Sequence, residues 1–384
     1  MGRSVCEAAE GSTTGNRGSS DVSLRTIGSG FKRREASSAP TAGGPGGGVV
    51  APEAPALSRW GSGSPLTRLV RQREFGIIAV GVVLFVVFSL ASSGTFDSFQ
   101  TWGGIGSSAA ELGIVSVGVG FLMISGEFDL SVGANFAFAA LVMATMVHDG
   151  YPPIEGLLVD LGIGIGIGLL NGIVTVFLNI PSFIATLGTY FLWSAVVLIV
   201  TGGTTITILP PTPTLLNVLG GFIGDQMRSE ILWWLGIALV VGVVLHRTVT
   251  GNWIYAIGGK RMAAREAGVA VARTRVLAFV LCGMLAAFAG AVQLAHLGSM
   301  SAGYGSAYQL EAIAASVVGG CALTGGRGSM VGIVVGTVIL QMLASGLILS
   351  GVSPYWYQAV VGIIIIVAVA MHTRIGAVVH GAES

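Results

Sequence analysis

Ten apolar stretches, nearly all long enough to cross a lipid bilayer, govern what this chain can fold into. They cover residues 75–93, 104–125, 131–148, 156–178, 182–201, 231–247, 275–297, 311–324, 329–349 and 355–373. A helix needs roughly 20 apolar residues to traverse the hydrocarbon core, and only the eighth stretch falls clearly short. In lipid each backbone N–H and C=O must be satisfied within its own segment, so such runs are helices. The sequence therefore predicts an all-α polytopic membrane protein with about ten transmembrane helices. A chain that is 53% hydrophobic and 10% charged agrees, since soluble domains carry about a quarter of charged residues. Of the 60 glycines, 25 lie inside the apolar runs, where small residues let helix backbones approach closely.

Charge sets the direction of threading. Ten of the nineteen Lys and Arg residues precede or open the first run, ending with Arg68, Arg71 and Arg73. Six more are Arg247, Lys260, Arg261, Arg265, Arg273 and Arg275, and Arg327 and Arg374 follow the eighth and tenth runs. Ten crossings put all of these on one side and leave only Arg228 on the other. Lys and Arg concentrate on the cytoplasmic side, so both termini are expected in the cytosol. Residues 1–65, dominated by Gly, Ser, Ala, Pro and Thr without periodicity, are expected to be a disordered tail. The membrane domain is expected over 66–375, with a short cytosolic tail over 376–384. The extracytoplasmic loop 202–230 contains TTITILPPTPT, whose Pro-Pro pair favours an extended path. In the cytosolic loop 248–274, Lys260 to Ala267 reads as a short basic helix closed by Gly268.

No catalytic constellation is present. The chain has no G-x-x-x-x-G-K-[ST] phosphate loop, so it does not bind ATP by that route. His148, His246, His296, His372 and His380 lie at or near run ends without metal-ligand spacing and read as interfacial or packing residues. Cys6, Cys282 and Cys321 suggest neither a disulfide framework nor a metal site. No metal and no cofactor is therefore expected in this chain. A net charge of +1 gives no sign of a nucleic-acid partner; the surroundings are membrane lipid.

The stretch GEFDLSVG, Gly126 to Gly133, puts Glu127 and Asp129 between two apolar runs. A carboxylate at mid-bilayer costs on the order of 3 kcal/mol, but the threading brings this stretch to the cytosolic end of a span. There Asp129 or Ser131 can cap the next helix, and negative charge suits its N-terminus. Glu127 is not needed by such a cap and is expected to face the cytosolic gate. On this reading Asp129→Ala lowers protein level, whereas Glu127→Ala leaves level intact and changes uptake. Further polar residues inside spans are Asn135, Asn171, Gln293, Gln341 and Ser345, with Glu311 at an outer helix end. They are candidates for lining a path, or else for helix–helix hydrogen bonds. A faint internal repeat relates the segment opened by Glu111 to that opened by Glu311, each an apolar run, a Gly-rich turn and a Ser before Val-Gly.

Four segments in order carry a specific likeness: GEFDLSVGA, PSFIATLGTYFL, YAIGGKRMAAREAGVAVARTRV and LEAIAASVVGGCALTGGRGSMVGIVVGTVI. With them, residues 75 to 373 resemble the permease subunit of ABC importers for ribose, xylose, galactose and similar monosaccharides. The resemblance implies a cytosolic ABC ATPase that holds ATP and Mg, an extracytoplasmic sugar-binding protein, and a second permease copy, most simply a homodimer. It implies the bacterial cell membrane as location and no enzymatic site in this chain. It also implies that the stretch from Ala263 through Ala264, Arg265, Glu266 and Ala267 to Gly268, entered through Lys260 and Arg261, is the coupling helix that docks on the ATPase. Glu127 departs from the family pattern, which more often has a small residue there, and the N-terminal tail lies outside the likeness. The rival reading is a stand-alone secondary carrier driven by H⁺ or Na⁺, which usually buries ionisable residues within spans. Here nearly every acid sits at a run end, and no Lys or Arg lies within a run.

Overall fold

The computed structural model describes residues 73–381, apart from 93, 209–213 and 225–226. They belong to one unit of the chain, Ser62–Ser384. The tail expected over 1–65 and the Pro-Pro stretch of loop 202–230 lie outside the described residues.

The described chain is built from helices in the order α1 (Arg73–Ala91), α2 (Phe99–Ile124), α3 (Val132–His148), α4 (Pro153–Phe177), α5 (Ser182–Thr201), α6 (Thr214–Gly220), α7 (Ser229–Arg247), α8 (Val249–Gly259), α9 (Arg261–Glu266), α10 (Val271–Leu297), α11 (Tyr308–Val318), α12 (Met330–Leu349) and α13 (Tyr355–Gly381). Four two-residue strands form two small antiparallel pairs. Ile206–Thr207 pairs with Ser299–Met300, and Phe222–Ile223 with Met227–Arg228.

Among the described residues, six helices, α2, α4, α5, α7, α10 and α12, are long and apolar enough to cross a membrane. Shorter apolar stretches occupy Ile77–Ala91 of α1, Val132–His148 of α3 and Tyr355–Val367 of α13. The eighth predicted run departs most from expectation. Its helix, α11, ends at Val318, and Gly319, Gly320, Gly325, Gly326 and Gly328 carry the chain on in an irregular turn. All of these but Gly319 have positive φ, a conformation that glycine adopts without steric cost. The predicted seventh run starts early as well: α10 begins at Val271, which draws Arg273 and Arg275 into the helix. The last helix continues to Gly381, through part of the expected C-terminal tail.

Two helices form the axis of the fold. Nearly all of α2 from Ala109 onward is buried, packed by α7, α10, α11 and α12. α10 lies against α4 most extensively, and against α2 and α3. Its approach to α4 follows from Gly164, Gly168 and Gly172, spaced four apart on one face. A Cβ on Gly168 would stand 2.4 Å from the Phe279 carbonyl oxygen, and one on Gly164 2.6 Å from that of Gly283. By contrast α5 and α7 expose Phe183, Phe191, Ile199, Leu235 and Leu239, the lipid-facing surface that a spanning helix needs.

Candidate functional site

The turn Ser125–Ser131 joins α2 to α3 and gathers two polar networks. In the first, Asp129 is buried, 1% exposed. Its Oδ1 accepts from the backbone N–H of Ser131 at 2.8 Å and from the Ser131 hydroxyl at 2.7 Å. Asn171 of α4 donates to both carboxylate oxygens and to the Ser131 hydroxyl, and its own amide oxygen accepts from Thr189 of α5. Thr186 and Ser182 of α5 take the N–H groups of Leu130 and Phe128. Burial pushes the Asp129 carboxyl above the ordinary carboxylate range, with the bonds from Ser131 and Asn171 pulling against it.

The expected helix cap is therefore not what forms. Ser131 occupies the N-cap position of α3 without a side-chain capping bond, because its hydroxyl is already committed to Asp129. Asp129 holds the N–H of Ser131 rather than an amide in the first turn, and joins the turn to α4. Asp129, Ser131 and Asn171, expected separately along a path, are one closed structural network.

Glu127 builds the second network. Its side chain is 4% exposed; Oε1 meets Arg275 of α10 at 2.6 Å and Arg261 of α9 in a short contact. Glu127 is thus paired rather than free, although with Arg261 and Arg275 it lines a cavity of about 350 Å³. Removing the carboxylate would strand Arg275, a side chain 9% exposed, so the substitution is no longer expected to leave stability untouched. Arg275 is also a cation within a helix, contrary to the sequence reading.

Arg261 opens the predicted coupling helix, observed as Arg261–Glu266 with Lys260 as N-cap residue. Gly268 closes it at φ +83°, and its N–H bonds to Arg265 while that of Val269 bonds to Ala264. This double bond pattern is a Schellman closure. Only Ala264 is buried; Arg261, Met262, Ala263, Arg265, Glu266 and Ala267 are exposed. Beside the helix a cavity of about 550 Å³ is lined by Arg261, Met262, Arg265, Arg273 and Arg275, among others.

Near the same place three backbone segments touch. The N–H of Gly326, in the turn after α11, bonds to the carbonyl of Ile124 at the end of α2. A Cβ on Gly258 of α8 would lie 2.0 Å from that carbonyl oxygen and 2.4 Å from the Gly326 nitrogen, and one on Gly325 2.8 Å from Gly126. Only glycines permit this approach. The two copies of the faint repeat, each a helix followed by a Gly-rich turn and a second helix, meet here at their turns.

The other path candidates do not converge. Asn135 donates to the Gly283 carbonyl of α10 at 3.0 Å, a helix–helix bond. Gln341 is buried in α12 and Ser345 is half-buried there. Glu311 is buried in α11 beside Tyr357 of α13. Gln293 donates to Glu111 at 3.1 Å, which also accepts from Tyr308 and lies 2.6 Å from His296 Nδ1. Glu230 completes this group, 3.5 Å from the same nitrogen. Reading the sequence missed this cluster: His296 is not a lone packing residue, and Glu111 sits mid-way along α2 rather than at its end.

Comparison with known proteins bears on most of the chain. Residues 104–369 match the family described as branched-chain amino acid transport system / permease component. The galactose/methyl galactoside import permease of Haemophilus influenzae is 32% identical over 80% of this chain and 97% of its own. The ribose import permease of Escherichia coli is 32% identical over 80% and 96%. An autoinducer 2 import permease of Enterobacter is 33% identical over 80% and 88%. No solved structure gives a significant match.

Proposed function

Because this chain belongs to the family of ABC transport-system permease components, we propose that it forms the membrane path of an ATP-driven importer for a monosaccharide. ATP and Mg are held by a separate cytosolic ATPase, and an extracytoplasmic protein delivers the sugar. Two copies of this chain enclose the path, in the inner membrane of a bacterium. Its relatives carry ribose, galactose and autoinducer 2 by name, which favours a small uncharged polar solute.

One observation carries the reading. α9 is a short helix offered outward, sealed at its C-terminus and tied through Arg261 to the buried Glu127. An ATPase that grips α9 would pull on the turn between α2 and α3. The threading proposed is ten crossings with both termini cytosolic, the eighth made by α11 and its glycine turn together. In support, Tyr308 lies at the Glu111 end of the bundle and Gly326 at the Glu127 end.

The test is purification of the tagged chain in mild detergent, beside an Arg265→Glu/Gly268→Trp variant. An ATPase should accompany the wild type and be lost from the variant, and the reconstituted complex should show sugar-stimulated ATP hydrolysis. A well-folded chain recovered alone, taking up solute on an ion gradient, would overturn the proposal in favour of a secondary carrier.

A further inference from the structure

At the end of the bundle opposite Glu127, Glu111 of α2, Glu230 of α7 and His296 of α10 bring one donor atom each within 4.8 Å of one another. Three observations say that the group is incomplete as it stands. Glu230 is 0% exposed, yet neither of its carboxylate oxygens has a close hydrogen-bond partner among the described residues, the Ser107 hydroxyl standing beside it. The neighbouring Ser229 hydroxyl and the amide oxygen of Gln293, whose Nε2 donates to Glu111, are likewise buried without partners. A cavity of about 520 Å³, lined by Gln100, Ser107, Ser108, Arg228 and His296 among others, reaches the imidazole from outside.

Two ionised carboxylates this close and this deep repel one another, so the pair needs either a proton or positive charge between them. His296 supplies one charge at most, and its Nδ1 faces Glu111 at 2.6 Å and Glu230 at 3.5 Å. We infer that Glu111, Glu230 and His296 bind a divalent transition-metal ion that ties α2, α7 and α10 together. A divalent ion neutralises both carboxylates and gives Glu230 a partner. The mixed imidazole and carboxylate set suits Zn²⁺ or Mn²⁺, and the cavity borders the site at His296. Donors about 2.1 Å from a metal lie roughly 3.4 Å apart in a tetrahedral site, so the His296 Nδ1–Glu111 pair, now 2.6 Å apart, would open by somewhat less than about 1 Å while the widest pair closes. Gln293 and Tyr308 hold the second oxygen of Glu111 and orient it.

The test uses the full chain in detergent, its affinity tag removed, dialysed against EDTA and offered Zn²⁺ or Mn²⁺ alone. After gel filtration, metal content should approach one ion per chain, and the thermal midpoint should rise with added metal. Glu230→Gln and His296→Ala should each weaken binding at least tenfold. Glu155→Gln, an exposed acid at the same end of the bundle, should leave it unchanged. Should either variant fail to fold, Glu111→Gln provides a second route, and the wild-type measurement decides alone. Well-folded wild type that retains neither ion in stoichiometric amount, or variants that bind as tightly as wild type, would overturn the inference and leave His296 as a simple carboxylate partner.

Discussion

The two ends of the bundle bury carboxylates in opposite ways. At one end Glu127 faces two guanidiniums, and Asp129 collects bonds from Ser131 and Asn171. At the other, Glu111 and Glu230 share one imidazole, and Glu230 has no close hydrogen bond among the described residues. Similar burial therefore produces different liabilities. The first end is held by its charges and loses stability when one is removed. On the metal-site inference, the second should gain stability when one carboxylate is neutralised, unless a cation is present.

The largest effect should come from Glu127→Ala, which leaves the buried Arg275 without its counter-charge. Breaking one partner of a buried ion pair costs about 3–5 kcal/mol, visible as a lower thermal midpoint in detergent. Adding Arg275→Met should recover much of the loss, because an apolar replacement for the whole pair is often neutral; no recovery would break the assignment of Arg275 as the stranded charge. Asp129→Ala should follow, since each buried donor left unsatisfied costs about 1–3 kcal/mol. Gly258→Ala should cost a comparable amount, about 1–3 kcal/mol of overpacking, although it changes no charge. Glu230→Gln in metal-free protein sharpens the contrast, since its thermal midpoint should rise where that of Glu127→Gln falls. Equal signs for these two substitutions would erase the distinction between the ends. The smallest effect on stability is Gly268→Ala, about 1 kcal/mol for an alanine at positive φ, read mainly as weaker ATPase recovery.

Much of this arrangement was legible in the sequence, and the exceptions share a cause. Apolar run length marked each of the long helices, and a helix-stopping glycine after a short basic run marked α9. Both are local signals. The end of α11 was placed at 324 rather than Val318 because an apolar, glycine-rich segment looks alike whether it continues as helix or breaks. The site depended on pairings between distant parts of the chain. Glu127 meets residues 134 and 148 positions away, and Glu111 meets one 185 positions away, so no periodicity records them. The cap reading of Asp-Leu-Ser missed Asn171, which only the fold brings to Asp129.

The junction of Gly126, Gly258, Gly325 and Gly326 bears on how force would travel. Where side chains separate two segments, rotamer changes absorb small displacements before the far segment moves. Here main chain rests on main chain, and close-packed interiors transmit strain. α8, which leads directly into α9, is thus geared to both glycine turns with almost no play. A shift of a fraction of an ångström at the exposed helix would reach α2 and α12 undiminished, and one methyl group at position 258 is enough to jam the gear.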